Sequence, residues 1–158
     1  MRAAVLTVSD GVAAGTREDA SGAVLAERAH DAGFEVVERL VVPDDRSQVA
    51  EALWGLTDVA DLVLTTGGTG FAPRDVTPEA TAEVVERPTP GLDEAMREVS
   101  RRSSPHGLLS RGASGITGRT LIVNFPGSPK ACAECFDAVA GALPHGVELL
   151  TERPTEHP

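Results

Sequence analysis

Lysine is almost missing from this 158-residue chain: Lys130 stands alone among 14 lysines and arginines. That scarcity excludes a P-loop, which must close on Gly-Lys-Ser/Thr. Tyrosine is absent, and aromatic residues make up only 3% of the chain, so stacking platforms for nucleic-acid bases are not expected. A basic excess is missing too. The net charge of −10 argues against a nucleic-acid partner. It leaves room for an anionic small ligand, because a few arginines and backbone N–H groups can reverse the sign of the field inside a cleft. Two cysteines are too few for a disulfide framework. No apolar run approaches the roughly 20 residues of a membrane span. The N-terminus, MRAAVLTVSDG, enters a strand-like segment without the apolar core of a signal peptide. A cytoplasmic protein with no membrane partner is expected.

What the chain does contain is alternation. A hydrophobic content of 41% supports a sizeable core, and a chain of this length should bury about 68–70% of its unfolded surface. Residues 1–150 read as one domain and 151–158 as a charged tail, with fraying expected from Leu149 onward. Strands are expected at Ala3–Val8, Val36–Val42, Leu62–Thr66 and Thr120–Asn124. Between them, apolar residues at i, i+3, i+4 and i+7 predict helices over residues 21–32, around Val49–Leu56, over Pro78–Glu86 and Gly91–Arg102, and from Pro129 to Leu143. Ser9–Asp19 reads as a polar loop, and Ser103–Gly118 as a surface crossing with one short extended piece. Such alternation implies a mostly parallel sheet between two helical layers, a three-layer α/β/α sandwich. Right-handed crossovers then bring the strand-to-helix loops to one carboxyl edge.

The densest of those loops lies in Asp61–Thr81, DLVLTTGGTGFAPRDVTPEAT. A short strand runs into Gly67, Gly68 and Gly70, which let the backbone take unusual angles and approach a ligand closely. Thr77 is a candidate N-cap, with Pro78 and Glu79 in the first turn. Strand, glycine loop and helix start together make an anion site. The loop is not a dinucleotide fingerprint, since Pro73 stands where a third glycine is needed. The glycines alone could serve only a tight turn. Asp75, an acid beside Arg74 and just before a helix start, is what a bare turn would not need.

Three further loops share that edge: Val8-Ser9-Asp10, Val42-Pro43-Asp44-Asp45, and Asn124 to Pro129. Asp45, with Gln48 three residues on, looks like a capping residue. Asp44 has no such duty: it is either a solvated loop carboxylate or, with Asp75, a holder of Mg²⁺ against phosphates. Ser128 and Pro129 read as an N-cap and first helical residue, a second anion-receptive helix start. Arg74, Arg111, Arg119 and Lys130 are candidates for neutralising phosphate. Cys132 and Cys135 share the apolar stripe of their helix. Core packing therefore explains them better than redox or zinc chemistry, especially with His30, His106, His145 and His157 scattered.

Thr66-Gly67-Gly68-Thr69-Gly70, Arg74–Ala80 (RDVTPEA), Leu109-Ser110-Arg111 and Asn124–Ala131 (NFPGSPKA) together resemble the MoaB/Mog family of molybdenum-cofactor biosynthesis. The resemblance runs from about residue 3 to 150, and the long central motif is the specific part of it. It implies a three-layer α/β/α fold, usually a homotrimer, and molybdopterin adenylyltransferase activity: MgATP and molybdopterin give adenylylated molybdopterin and pyrophosphate. By the same carry-over Asp44 and Asp75 are the acidic catalytic pair and the Mg²⁺ ligands. Gly67, Gly68 and Gly70 would cradle nucleotide phosphates, with Thr66, Thr69, Ser9 and Asp10 beside them. Ser110, Arg111, Pro126, Gly127 and Ser128 would line the nucleotide and pterin-phosphate parts of the cleft. Gly11 departs from the family, which often has Arg after Ser-Asp. Hand-over of the product to a molybdate-inserting enzyme is a further implication.

The chemistry agrees. Joining a pterin phosphate to the α-phosphate of ATP brings two strongly anionic groups together, so positioning and charge neutralisation should carry the catalysis. The alternative is a non-catalytic molybdopterin-binding or scaffold paralogue of the same fold. A CinA-like module shares the glycine loop but usually comes with extra domains, and a trimer with a vestigial cleft would not need both Asp44 and Asp75.

Overall fold

The computed structural model describes residues 1–153. Six strands form one sheet in the order β2-β1-β3-β6-β5-β4. They are β1 (Arg2–Val8), β2 (Glu35–Val42), β3 (Leu62–Thr66), β4 (Arg87–Pro88), β5 (Ser114–Thr117) and β6 (Thr120–Phe125). β2, β1, β3 and β6 are parallel, while β5 and β4 complete the sheet antiparallel. Among the described residues seven α-helices accompany them: α1 (Asp10–Ala13), α2 (Ala20–Asp31), α3 (Arg46–Thr57), α4 (Thr77–Val84), α5 (Pro90–Ser103), α6 (Pro129–Val139) and α7 (Leu143–Leu150).

The period of two along the central strands divides the core. Ala3 and Val5 of β1, with Leu62, Leu64, Leu121, Val123 and Phe125, face a layer made by α2, α5, α6 and α7. Ala4, Leu6 and Val8, with Val63 and Ile122, face α3 and α4. The central strands are thus apolar on both faces, which is why they read as continuous hydrophobic runs. Helical spacing supplies the opposing surfaces. Val49, Leu53 and Leu56 of α3 are buried on one side of the sheet, and Cys132, Cys135, Phe136 and Val139 of α6 on the other. Phe125 and Phe136 stack at 5.9 Å between centroids, joining β6 to α6. Each fully buried side chain of this kind contributes roughly 1.5–3 kcal/mol. The fold is the expected α/β/α sandwich.

Four local expectations are corrected. Residues 9–19 contain α1, capped by the Ser9 hydroxyl, which accepts from the Val12 amide at 3.2 Å. The segment after α5 does not simply cross the surface. The one short extended piece expected there is β5, paired through Ile116 with β6 and Arg87, but ahead of it the chain makes an unexpected 3₁₀ turn at Pro105–Leu109. The last predicted helix is broken at residues 140–142, and α7 takes in Leu149 and Leu150, where fraying is expected from the sequence. Thr77 is not the cap of α4 but its first residue, following Val76. The tail expected over 151–158 lies outside the described residues from 154 onward.

Candidate functional site

β1, β2, β3 and β6 are parallel, so the loops that follow them meet at one end of the sheet. The loop after β3 is built around two glycines. Gly67 has φ +94° and Gly68 φ +66°, angles unfavourable for L side chains. Space is as restrictive as angle: a Cβ on Gly67 would stand 2.2 Å from the Val8 carbonyl oxygen, and one on Gly68 2.4 Å from Thr77 Oγ1. Thr77 holds the turn from the other side. Its hydroxyl donates to the Gly67 carbonyl at 2.8 Å, and its amide donates to the Gly68 carbonyl at 3.1 Å. The Gly67 amide is also engaged, donating to Phe125 O at 3.2 Å. The amides of Gly68, Thr69 and Gly70 have no protein acceptor among the described residues, which leaves three donors for an external anion.

Arg111 holds the loop open. Its Nε donates to Gly70 O at 2.7 Å and its Nη2 to Asp75 O at 2.9 Å, while Nη1 pairs with Glu79. The Arg111 amide adds a bond to Thr69 O at 2.8 Å. The Glu79 carboxyl is accordingly held below its ordinary value, chiefly by that guanidinium. Arg111, expected to meet phosphate, is occupied as a clamp on the loop carbonyls.

The acidic pair lies against this loop. The Asp75 carboxylate accepts from the Ala72 amide at 3.0 Å, and Gly70 leaves room for it. Asp44 and Asp10 exchange bonds: the Asp10 amide donates to the Asp44 carboxylate at 2.8 Å, and the Asp44 amide to the Asp10 carboxylate at 3.0 Å. Arg74 closes the group with two bonds to the Asp10 carboxylate, at 2.5 and 2.9 Å. The same guanidinium holds the Asp10 carboxyl low. Burial pushes the Asp44 carboxyl up, and the neighbouring carboxylates of Asp10 and Asp75 push in the same direction. A half-buried carboxylate with other carboxylates beside it is a place that a cation would relieve.

Two clefts open here. One, of about 460 Å³, is lined by Ser9, Arg17, Asp44, Thr66 and Gly67 among others. The second, of about 530 Å³, is lined by Thr69, Gly70, Ser110 and Pro126 and by the 3₁₀ turn. Gly68, Asp75, Gly127 and Ser128 line both. Two spaces of substrate size therefore adjoin at one carboxylate and two backbone turns.

The family described as "Probable molybdopterin binding domain" matches residues 4–145. The molybdopterin adenylyltransferase of Helicobacter pylori is 41% identical over 150 residues, covering 92% of this chain and 85% of that protein. The chain belongs to the MoaB/Mog family. The crystal structure of the molybdopterin biosynthesis enzyme MoaB from Thermus thermophilus superimposes with a TM-score of 0.90 at 45% identity, covering 98% of this chain and 99% of that one. The Drosophila melanogaster molybdenum cofactor synthesis protein cinnamon is 42% identical over 150 residues. There the match covers 92% of this chain but only 25% of the relative.

Against the MoaB/Mog expectations, Ser9, Asp44, Thr66, Gly67, Gly68, Thr69, Gly70, Asp75, Ser110, Pro126, Gly127 and Ser128 all line one or both clefts. Asp10, Arg74 and Arg111 hold the loops instead of facing a cleft. Arg119 lies at the opposite end of the sheet, paired with Glu152. Ser128 caps α6 by accepting from the Ala131 amide at 3.0 Å, and Asp45 caps α3 through the Gln48 amide at 2.9 Å. Cys132 and Cys135 are buried free thiols. Burial pushes Cys132 up to about 12, and its Sγ donates to Pro126 O at 2.8 Å, beside the Thr66 hydroxyl at the same distance from that carbonyl.

Arg17 escaped the reading of the sequence. Its side chain lies across Gly11, where an added Cβ would stand 2.7 Å from Arg17 Cδ, and it lines the smaller cleft. The first loop therefore has a basic residue after all, six positions later than the family pattern led one to look. Among the described residues no cluster of three or more His, Cys, Asp or Glu could hold a metal ion. Asp44 and Asp75 bring two carboxylates to the lining of the smaller cleft.

Proposed function

We propose that this chain is a molybdopterin adenylyltransferase that transfers AMP from ATP to the terminal phosphate of molybdopterin. A molybdopterin phosphate oxygen attacks the α-phosphorus of ATP. A new P–O bond forms, the bond from the α-phosphorus to the bridging oxygen of the β-phosphate breaks, and pyrophosphate leaves. The observation that carries this reading is the pair of clefts sharing Asp75, Gly68, Gly127 and Ser128. A two-substrate transfer needs two adjoining spaces whose reactive ends meet.

Each residue then has a task. The amides of Gly68, Thr69 and Gly70 offer donors to phosphate oxygens, and Arg17 adds positive charge to the smaller cleft. Asp44 and Asp75 would hold Mg²⁺, which when bound neutralises phosphate charge as a Lewis acid. Asp10 and Arg74 fix Asp44 from behind, and Arg111 fixes the backbone at Gly70 and Asp75. Ser110, Pro126, Gly127 and Ser128 take the pterin and its phosphate. A cytoplasmic homotrimer and hand-over to a molybdate-inserting enzyme complete the proposal. The exposed Val37, Leu40 and Val41 on edge strand β2 offer apolar surface for assembly.

The test is to incubate the purified protein with MgATP and molybdopterin and to follow pyrophosphate and adenylylated pterin together. Equal amounts of both establish the transfer. Pterin binding with neither product would refute it and leave the non-catalytic paralogue.

A further inference from the structure

The larger cleft extends well beyond the glycine loop, between α5 and α6, to an outer end remote from the phosphate-binding turns. Only two of its lining residues carry a carboxylate, Asp75 and Glu134. Glu134 lies six residues into α6 from Ser128, about 9 Å along the helix axis at 1.5 Å per residue. Around it the wall is made of small groups, Ser100, Ser103, Ser104, Gly107 and Ala131, which leave room for a flat fused ring. The Glu134 side chain is 31% exposed, and its Oε2 accepts from the Ser103 hydroxyl at 3.0 Å. Lys130 Nζ stands 3.9 Å from Oε1.

We propose that Glu134 reads the aminopyrimidinone edge of the pterin, and so determines which ring system the larger cleft accepts. The inference rests on the molybdopterin reading above. A pterin presents two adjacent donors, the 2-amino N–H and N3–H, followed by a 4-oxo acceptor. A carboxylate accepts a parallel pair of N–H bonds in the geometry that it uses for guanidinium. With about four lone-pair sites it can take that pair and keep the Ser103 bond. The neighbouring Lys130 ammonium, a donor only, complements the 4-oxo group. Adenine fits this arrangement poorly: its edge offers one donor group and the N1 lone pair, which a carboxylate repels. The outer end of this cleft therefore takes the pterin and leaves the adenylate to the smaller one.

The test uses pterin-6-carboxylate and lumazine-6-carboxylate, fluorescent rings that differ in the 2-position, which is amino in one and oxo in the other. Both are titrated into the wild-type protein, Glu134→Gln and Ser103→Ala, with thermal melting to verify folding. The wild type is expected to prefer the pterin by at least about tenfold, since the lumazine sets an oxygen against the carboxylate. Glu134→Gln keeps an oxygen for Ser103 but presents an amide to the ring, so the preference should vanish or reverse. Ser103→Ala keeps the carboxylate and should keep the preference. An unchanged ratio in Glu134→Gln, or its equal loss in Ser103→Ala, would overturn the assignment, since a structural tie would then suffice. Wild-type adenylyl transfer, measured alongside, separates the two levels. Transfer without a pterin preference overturns the role of Glu134 alone; absence of both overturns the adenylyltransferase reading and Glu134 with it.

Discussion

Replacing Gly67 by alanine tests the architecture of the glycine loop most directly, because two separate penalties fall on one methyl group. The first is conformational. At φ +94° an L-residue should lose on the order of 1–2 kcal/mol relative to glycine. The second is steric. The added Cβ would sit 2.2 Å from Val8 O, so the ends of β1 and β3 must part or the loop must move. Forcing extra atoms into a packed site costs typically about 1–3 kcal/mol. The sum, roughly 2–5 kcal/mol, is a large share of the ~5–15 kcal/mol that holds such a domain together. Gly118 supplies the control, with φ +56° and nothing within 4 Å of its missing Cβ. Gly118→Ala should pay only the conformational part, and at ~2–4 °C per kcal/mol its melting point should fall less than that of Gly67→Ala. Urea denaturation of both variants, followed by circular dichroism, measures the difference. If Gly67→Ala is destabilised no more than Gly118→Ala, the claimed contact with the Val8 carbonyl does not constrain the loop and the reasoning fails.

Three other outcomes are expected. Asp75→Asn should fold normally while turnover falls at least about tenfold, equivalent to ~1.4 kcal/mol of transition-state stabilisation; wild-type turnover at saturating Mg²⁺ would remove the metal-holding role. Arg17→Ala should raise the KM for ATP about fivefold with a smaller change in kcat, since an exposed charge contributes ~1 kcal/mol or less; steady-state kinetics with an unchanged KM would show that Arg17 does not face the nucleotide. Cys132 should resist iodoacetamide at pH 8 in the native protein and react promptly in denaturant. Its thiol is raised from 9.0 to about 12, so it favours the folded state fully below pH 9 and loses that contribution as pH climbs toward 12. Mass spectrometry of the native protein showing rapid labelling would contradict the burial.

Much of this fold was legible because its signals are periodic. Leu62–Leu64 and Leu121–Val123 are apolar on both faces because helices cover both. The cleft lining at Gly67 and Asp75 was legible because a strand that runs through glycines into a helix start marks the carboxyl edge of a parallel sheet, where clefts form. What sequence could not disclose is direction. Arg74 and Arg111 carry the right charge for phosphate, yet their guanidinium groups are taken by Asp10, Glu79 and backbone carbonyls. Whether an arginine meets a ligand or a neighbour depends on contacts made across the chain. Arg17 was overlooked for the converse reason: only the fold lays it over Gly11. The turn at Pro105–Leu109 was hidden because its stability derives from packing against α5, where a Cβ on Gly107 would stand 2.4 Å from the Ser100 backbone. Composition shows none of that.

The bonds that shape the site join residues far apart in the chain. Thr66 and Pro126 are 60 positions apart, Arg74 and Asp10 are 64, and Arg111 and Gly70 are 41. Closing loops of that length is entropically costly before any contact rewards it, and such pairings slow folding. During synthesis, the loops after β1, β2 and β3 are complete long before the Pro126–Ser128 turn that finishes both clefts. A partly made chain should consequently offer its ligands no finished pocket, and substrate binding becomes a report that the whole sheet has closed. Ligand present in excess would then favour the completed native state over every intermediate, holding the late-forming end of the molecule in place by mass action.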